Sequence, residues 1–288
     1  GQVGSWRDRR RLAAQKLRGP LGATMAVTAL AWIGVGGYIY YNTNVINTYL
    51  PADEQMDLQA RYEREYSKYK DLPHPRIREV RADVDLHPET QSARISGSYV
   101  LVNPHSVPIS ELHVMMQQQV ELDSIDLAGA ELVTYDQPLG YRIYKLKQPL
   151  QPGAEVTMGF VISGGERGIS NSIAQTRMVE NGSFIDSRAF PQFGYEKRAE
   201  ILERNERRKR GLGEVERMAK LEDEAARDHT YLTDDADWID FSSTVCTAPD
   251  QIALAPGYLK REFEKDGRRC FEYAMDRPML PFWAYLSA

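Results

Sequence analysis

From Arg76 onward the chain alternates. Ile77, Glu79, Arg81, Asp83 and Asp85 hold one parity, and Val80, Ala82, Val84 and Leu86 hold the other. That is the period of a strand with one face in a core. His87-Pro88-Glu89-Thr90 is a turn, and a second strand spans Ala93–Val102, closed by Asn103-Pro104-His105-Ser106. The series continues at Ile109–Met116, Glu121–Leu127, Glu131–Tyr135, Tyr141–Leu146 and Glu155–Ile162. It resumes at Trp238–Thr247, Ile252–Ala255, Leu259–Glu264 and Arg269–Met275, with Lys265-Asp266-Gly267 as the hairpin turn between the last two. Short strands with turn signals roughly every 8–12 residues predict a mainly β fold, an antiparallel sandwich or barrel. The run Leu280–Leu286 reads as an unpaired apolar strand, so the chain is expected to be a piece of something longer.

Two stretches follow a helical period instead. In Met56–Lys70, Leu58, Tyr62, Tyr66 and Tyr69 fall at spacings of four, four and three and share one face. Leu72-Pro73-His74-Pro75 ends that helix, because proline lacks the amide donor. Leu21–Tyr41 carries 21 residues without a charge, enough to cross a hydrocarbon core of roughly 30 Å. Tyr38, Tyr40 and Tyr41 cluster at one end, where an interfacial aromatic belt sits. A cleaved signal peptide and a buried core helix pass the same test. The apolar core of a signal is shorter, about 7–15 residues, and Asn42-Thr43-Asn44 is a poor cleavage site.

Charge sharpens the membrane reading. The 288 residues sum to −5, but residues 1–20 hold Arg7, Arg9, Arg10, Arg11, Lys16 and Arg18 against Asp8 alone, or +5, leaving −10 for the rest. The positive-inside rule places the basic flank in the cytoplasm. The expected organisation is a cytoplasmic flank at 1–20, a transmembrane helix at 21–41, a linker and short helix at 42–75, and a β-domain at 76–288 with a charged helical insertion at 195–228. The insertion mixes ten acids with ten bases. It therefore reads as a solvated helix, and Arg207-Arg208-Lys209-Arg210 inside it reads as no nucleic-acid patch, which needs uncompensated positive charge. These readings give an inner-membrane location with the β-domain extracytoplasmic and the lipid bilayer as partner.

Catalytic chemistry is harder to find. Five histidines (74, 87, 105, 113 and 229) form no H-E-x-x-H, and three of them sit beside proline, as surface or turn residues do. There is no Walker loop and no G-x-S-x-G. Cys246 and Cys270 read first as small buried hydrophobes. A disulfide is the alternative, if the domain faces an oxidising compartment. Asn181-Gly182-Ser183 is a sequon that occurs readily by chance.

Several segments resemble one family. Arg188-Ala189-Phe190-Pro191-Gln192-Phe193 is similar to the A-R-R-A-F-P-C-F-D-E-P stretch near the end of the N-terminal β-domain in aminopeptidase N-type zinc metallopeptidases. Ala253–Gly257 stands where that family has an A-x-S-N-G turn, and Asp276-Arg277-Pro278-Met279 where it has a T-x-P-M step. Val84–Glu89 with Ile95–Tyr99 resembles its opening strands. Tyr141–Tyr144, Asn205–Lys209 and the membrane helix ahead of the β-domain look like the subgroup in which an ABC-2-type permease precedes the peptidase part.

The resemblance implies a saddle-like antiparallel β-sandwich, preceded by one transmembrane helix. It implies a non-catalytic domain that walls a peptide cleft, with zinc and H-E-x-x-H in the longer parent and no cofactor in this part. The implied partners are the missing catalytic domain, a peptide substrate and an ABC ATPase subunit. The family binds the peptide amine with a Gln or Glu six residues before the arginine; here that position is Gly182, with Glu180 and Asn181 adjacent and Asp186 a weaker substitute. Glu180 and Asn181 are thus the candidate substrate-binding residues. The D-E-P after Phe193 is replaced by Gly194-Tyr195-Glu196. A rival reading is a non-catalytic extracytoplasmic interaction domain of a transporter.

Overall fold

The computed structural model describes residues 4–116, 120–165, 167–169, 177–215, 220–224 and 237–288. They fall into two compact units: residues up to Leu50 with 167–169, and the remainder.

The first unit is helical. α1 (Trp6–Leu17) is followed by extended Gly19, and α2 (Pro20–Tyr41) opens with proline in its first turn, where no amide donor is needed. None of the side chains of α2 is buried. Its threonine hydroxyls bond inside the helix: Thr24 Oγ1 donates to the Pro20 carbonyl at 3.0 Å and Thr28 Oγ1 to that of Thr24 at 2.9 Å. Such back-bonding satisfies polar groups where water is absent. The expected linker from residue 42 begins instead with a π-helical turn, Asn42–Ile46. Asn42 Nδ2 donates to the Tyr38 carbonyl at 2.8 Å, and its Oδ1 accepts from the Ile169 amide at 3.2 Å. Asn47 Nδ2 donates to the Arg167 carbonyl at 2.6 Å.

The second unit starts with α3 (Ala52–Tyr66) and a 3-10 turn at Ser67–Tyr69. The strands β1 (Arg76–His87), β2 (Ser92–Val102), β3 (Ile109–Met115), β4 (Val120–Leu127) and β5 (Ala130–Asp136) follow. Next come β6 (Tyr141–Leu150), β7 (Glu155–Gly165), β8 (Met178–Val179), β9 (Gly182–Asp186) and β10 (Gln192–Phe193). After α4 (Arg204–Lys209) come β11 (Asp240–Thr247), β12 (Ala253–Leu254), β13 (Tyr258–Lys265), β14 (Arg268–Ala274) and β15 (Ala284–Ser287).

The fold is mainly β, as expected. A seven-stranded sheet runs β13-β14-β11-β1-β2-β7-β4, and two four-stranded sheets run β10-β3-β6-β5 and β12-β15-β9-β8. The alternation of β1 holds: Val80, Ala82, Val84 and Leu86 are buried. Apolar residues of all three sheets share one core, among them Leu86, Tyr99 and Phe160 of the first, Leu112 of the second, and Ile185 and Tyr285 of the third. Asp266 and Gly267, at φ 53° and 75°, make the left-handed turn that a two-residue β13–β14 hairpin requires.

Three expectations need correction. The large sheet is not purely antiparallel, because β1 pairs with β11 in parallel register, Val84 opposite Val245. The apolar run near residue 288 is not an unpaired strand, because Tyr285 lies opposite Ile185 and Leu286 opposite both Phe184 and Leu254. The cysteines are not free. Antiparallel β11 and β14 bring Cys246 opposite Cys270, with Cα atoms 4.0 Å apart, and the two form a disulfide. Opposed positions of this kind approach closely enough for a bridge. A bond closing a separation of 24 residues is expected to stabilise the fold by about 3 kcal/mol. Urea unfolding of the detergent-solubilised chain checks this, with and without reductant, and C246A/C270A is expected to match the reduced protein.

α3 buries its tyrosine face. Leu58, Tyr62, Tyr66 and Tyr69 pack with Leu139, Tyr141 and Ile143, as their spacing predicts. The rings of Tyr66 and Tyr141 are 4.0 Å apart, and Tyr62 stacks on Tyr195 at 4.9 Å. Burial and a hydrogen bond to Asp136 push the Tyr66 hydroxyl up to about 12.

The insertion at 195–228 is less solvated than its composition predicts. Its described helix is short (α4), and Arg207 is buried against Glu63 of α3, Nη1 to Oε2 at 2.8 Å. Lys209 Nζ meets Asp53 at 2.9 Å and Arg210 Nε meets Asp57 at 2.7 Å. Three of the four cations of the basic run thus pair with acids of α3, and part of the insertion clamps that helix. Residues 216–219 and 225–228 of the expected insertion lie outside the described residues.

Candidate functional site

The candidate residues sit on a small hairpin. β8 and β9 pair with Val179 opposite Gly182, and Glu180-Asn181 form the turn between them, both exposed. The backbone of the turn is tied down by a residue the sequence did not single out. Gln251, buried in the bend after β11, donates its Nε2 to the Glu180 carbonyl at 2.9 Å. Its Oε1 accepts from Thr247 Oγ1 at 3.0 Å. The turn is thus fixed through its carbonyl while its two side chains stay at the surface. No local signal marks Gln251, because its role depends on pairing across 71 positions.

β9 leads into the Arg188–Pro191 stretch. Asp186, 4% exposed, accepts from the Arg188 amide at 3.1 Å and from Arg188 Nε and Nη2 at 3.0 and 2.5 Å. Burial raises the Asp186 carboxyl, but the hydrogen bonds and charge of Arg188 outweigh it and hold the group below the usual carboxylate range. Asp186 is therefore engaged inside the fold, and its oxygens are turned to Arg188. An unfolded aspartate titrates near about 3.9. The stability this pair adds is complete above that value and is lost as pH falls through the lower, folded value. Arg188→Gln is expected to remove about 1 kcal/mol at pH 7, given the exposure of the guanidinium. It should also abolish that acid-side loss, as measured by thermal melts from pH 2 to 7.

Beyond Arg188 the chain turns inward. Ala189 and Phe190 are buried, and the Phe190 ring lies 5.3 Å from Trp283 and 5.9 Å from Phe160, both edge to face. Between the hairpin and the large sheet lies a small groove of about 60 Å³, open to solvent, with Ile95, Ile162, Met178 and Ile185 among its apolar walls. Arg177 and Gln91 stand at its lining as the larger polar side chains.

The histidines do not assemble. His113 is buried, its Nδ1 2.9 Å from the Tyr141 hydroxyl. Burial lowers its pKa against the opposing pull of Glu111. Among the described residues no three His, Cys, Asp or Glu side chains gather as a metal site. The zinc that the resemblance implies thus has no donor set on them, and no chemical step on these residues runs through it. α2 is the one described helix long and apolar enough to cross a membrane.

No protein-family model matches the chain, and no curated protein matches its sequence. Similar solved structures are M1 zinc metallopeptidases. One from Deinococcus radiodurans has 11% identity and a TM-score of 0.48, covering 77% of this chain and 45% of that one. A mutant from the same organism bound to a Tyr-Ser-Ala substrate has 13% identity and a TM-score of 0.46, covering 74% and 42%. The chain spans less than half the length of these proteins.

Proposed function

We propose that this chain is the membrane-anchored, N-terminal and non-catalytic domain of an aminopeptidase-like zinc metallopeptidase joined to a permease, and that it walls one side of a peptide cleft. One observation carries the reading. The Arg188–Pro191 stretch that resembles the family follows directly on a fixed hairpin, whose turn is the exposed Glu180-Asn181 and whose strands give Met178 and Ile185 to the wall of an apolar groove. In this reading the Glu180 carboxylate accepts from the ammonium of a peptide's first residue, a charge-assisted hydrogen bond, and the groove receives apolar atoms of the peptide. The catalytic domain, its zinc and an ABC-type ATPase belong to the longer parent.

Two features support anchoring with the β-domain outside the cytoplasm. The threonine hydroxyls of α2 are satisfied within the helix, and the basic flank precedes it. The disulfide fits an oxidising compartment on that side.

The parent protein, purified with zinc, tests the proposal. It is expected to release N-terminal residues from peptides, and Glu180→Ala should raise KM roughly tenfold with kcat little changed. A parent without peptidase activity leaves the transporter-interaction reading in its place. An active parent indifferent to Glu180→Ala overturns the role of the turn.

A further inference from the structure

We propose that α1 is a binding surface for anionic phospholipid headgroups, lying along the cytoplasmic face of the bilayer that α2 crosses. The proposal rests on the membrane-anchor reading above and names the lipid class that the anchor selects.

The argument begins with how the residues of α1 distribute. At about 100° per residue, Trp6, Ala13 and Leu17 fall within one stripe of roughly 40°. Arg9 and Lys16 flank it about 40–60° beyond one edge, Arg10 lies at the other edge with Arg7 and Arg18 about 80–100° beyond it, and Arg11 sits further round toward the polar side. Asp8 and Gln15 occupy the opposite side. Trp6 and Leu17 are exposed, so the stripe has no protein to cover it among the described residues. A narrow apolar stripe with cations on both shoulders is the layout of a helix in the plane of an interface. The stripe enters the acyl boundary, and the long cationic stems reach back to the headgroups. Leu12 lies off the stripe, so the helix is suited to shallow contact rather than deep insertion.

The second observation is how α1 joins α2. Extended Gly19 breaks the helix, and a Cβ on Gly22 would lie 1.6 Å from the Leu17 carbonyl oxygen. The last turn of α1 therefore packs directly on the first turn of α2, and only glycine fits that corner. The basic helix is held at the end of the apolar one, where headgroups lie. Six cations against a single acid complement anionic lipid, and that acid is engaged by Ser5, whose Oγ donates to Asp8 Oδ2 at 2.9 Å. Arg10 stacks over Trp6 with its guanidinium 4.7 Å from the ring centroid, which pairs a cation with an interfacial aromatic. Cations just cytoplasmic of a span are each drawn to an anionic surface within a Debye length of it.

The test uses the full chain purified in a zwitterionic detergent. Phosphatidylglycerol or phosphatidylcholine is added, and lipid retained per protein is read by native mass spectrometry at low and high salt. Phosphatidylglycerol is expected to be retained roughly tenfold or more over phosphatidylcholine at low salt. That preference should collapse at high salt and in R7Q/R9Q/R11Q. The control K260Q/R261Q/K265Q removes as many cations from β13 and should leave it intact. Equal retention of the two lipids, a preference untouched by R7Q/R9Q/R11Q, or one lost equally in the control overturns the proposal. A chain that stays in the aqueous phase without detergent overturns the anchor as well. A chain that needs detergent but shows no lipid preference overturns the headgroup surface alone.

Discussion

Glu63→Ala is expected to destabilise the second unit by about 3–5 kcal/mol. The carboxylate closes a buried network. Its Oε2 lies 2.8 Å from Arg207 Nη1, and its Oε1 accepts from the same nitrogen at 2.9 Å and from the Ile201 amide at 2.7 Å. Arg207 also donates to the Ile201 and Gly213 carbonyls, each at 2.7 Å. Removal of Glu63 leaves a buried guanidinium without its counter-charge and the Ile201 amide without an acceptor. Both penalties are desolvation costs rather than lost attraction, so E63L/R207L should recover the part due to the unpaired guanidinium, while the part due to the Ile201 amide remains. Urea unfolding measures the size of the effect. Limited trypsinolysis locates it, because the Arg207–Arg210 run is expected to become cleavable only when the clamp opens. Unchanged cleavage in Glu63→Ala would show that the segment is held by something other than this pair.

Phe190→Ala is expected to cost a comparable 3–5 kcal/mol, roughly the price of an aromatic core truncation. The ring is fully buried and stands between Phe160 of the large sheet and Trp283 and Tyr285 near the last strand. It therefore joins two sheets, and the cavity it leaves would be lined by rigid rings that relax poorly. Phe190→Leu, which keeps most of the volume, should cost about 1.5 kcal/mol or less. Denaturant unfolding gives the magnitude, and near-ultraviolet circular dichroism should report lost aromatic packing in the alanine variant. The same substitution should loosen the Glu180-Asn181 turn, which precedes Phe190 on the same strand-and-turn path.

The sequence yielded the elements that depend on local period. The alternation in β1 and the tyrosine spacing on α3 named the faces that prove buried. What escaped it depends on partners far along the chain. β8, β9 and β10 have two to five residues, too few for alternation to register, and exist because β15 and β3 offer edges to pair with. The parallel register of β1 with β11 has no local signature. Arg207 looked solvated because its neighbours are charged; only Glu63, 144 positions away, makes its burial tolerable. The cysteines stood in segments read as strands, but their register was not legible. For the candidate site, the motif near Arg188 directed attention to Glu180 and Asn181, while Gln251, which fixes their turn, carries no pattern of its own.

The position of β1 between β2 and β11 has a consequence for the order in which the molecule forms. β1 and β2 are neighbours in sequence and can pair as soon as both exist, with β7 and β4 completing that half of the sheet. The other edge of β1 waits for β11, which begins at Asp240. A chain that emerges from its N-terminus at about 5–20 residues per second would leave this edge unpaired for many seconds. For that interval its unpaired amides and carbonyls offer a template to any other extended segment. Synthesis rate and a chaperone able to cover one strand edge should therefore govern the yield of folded protein more than its final stability does.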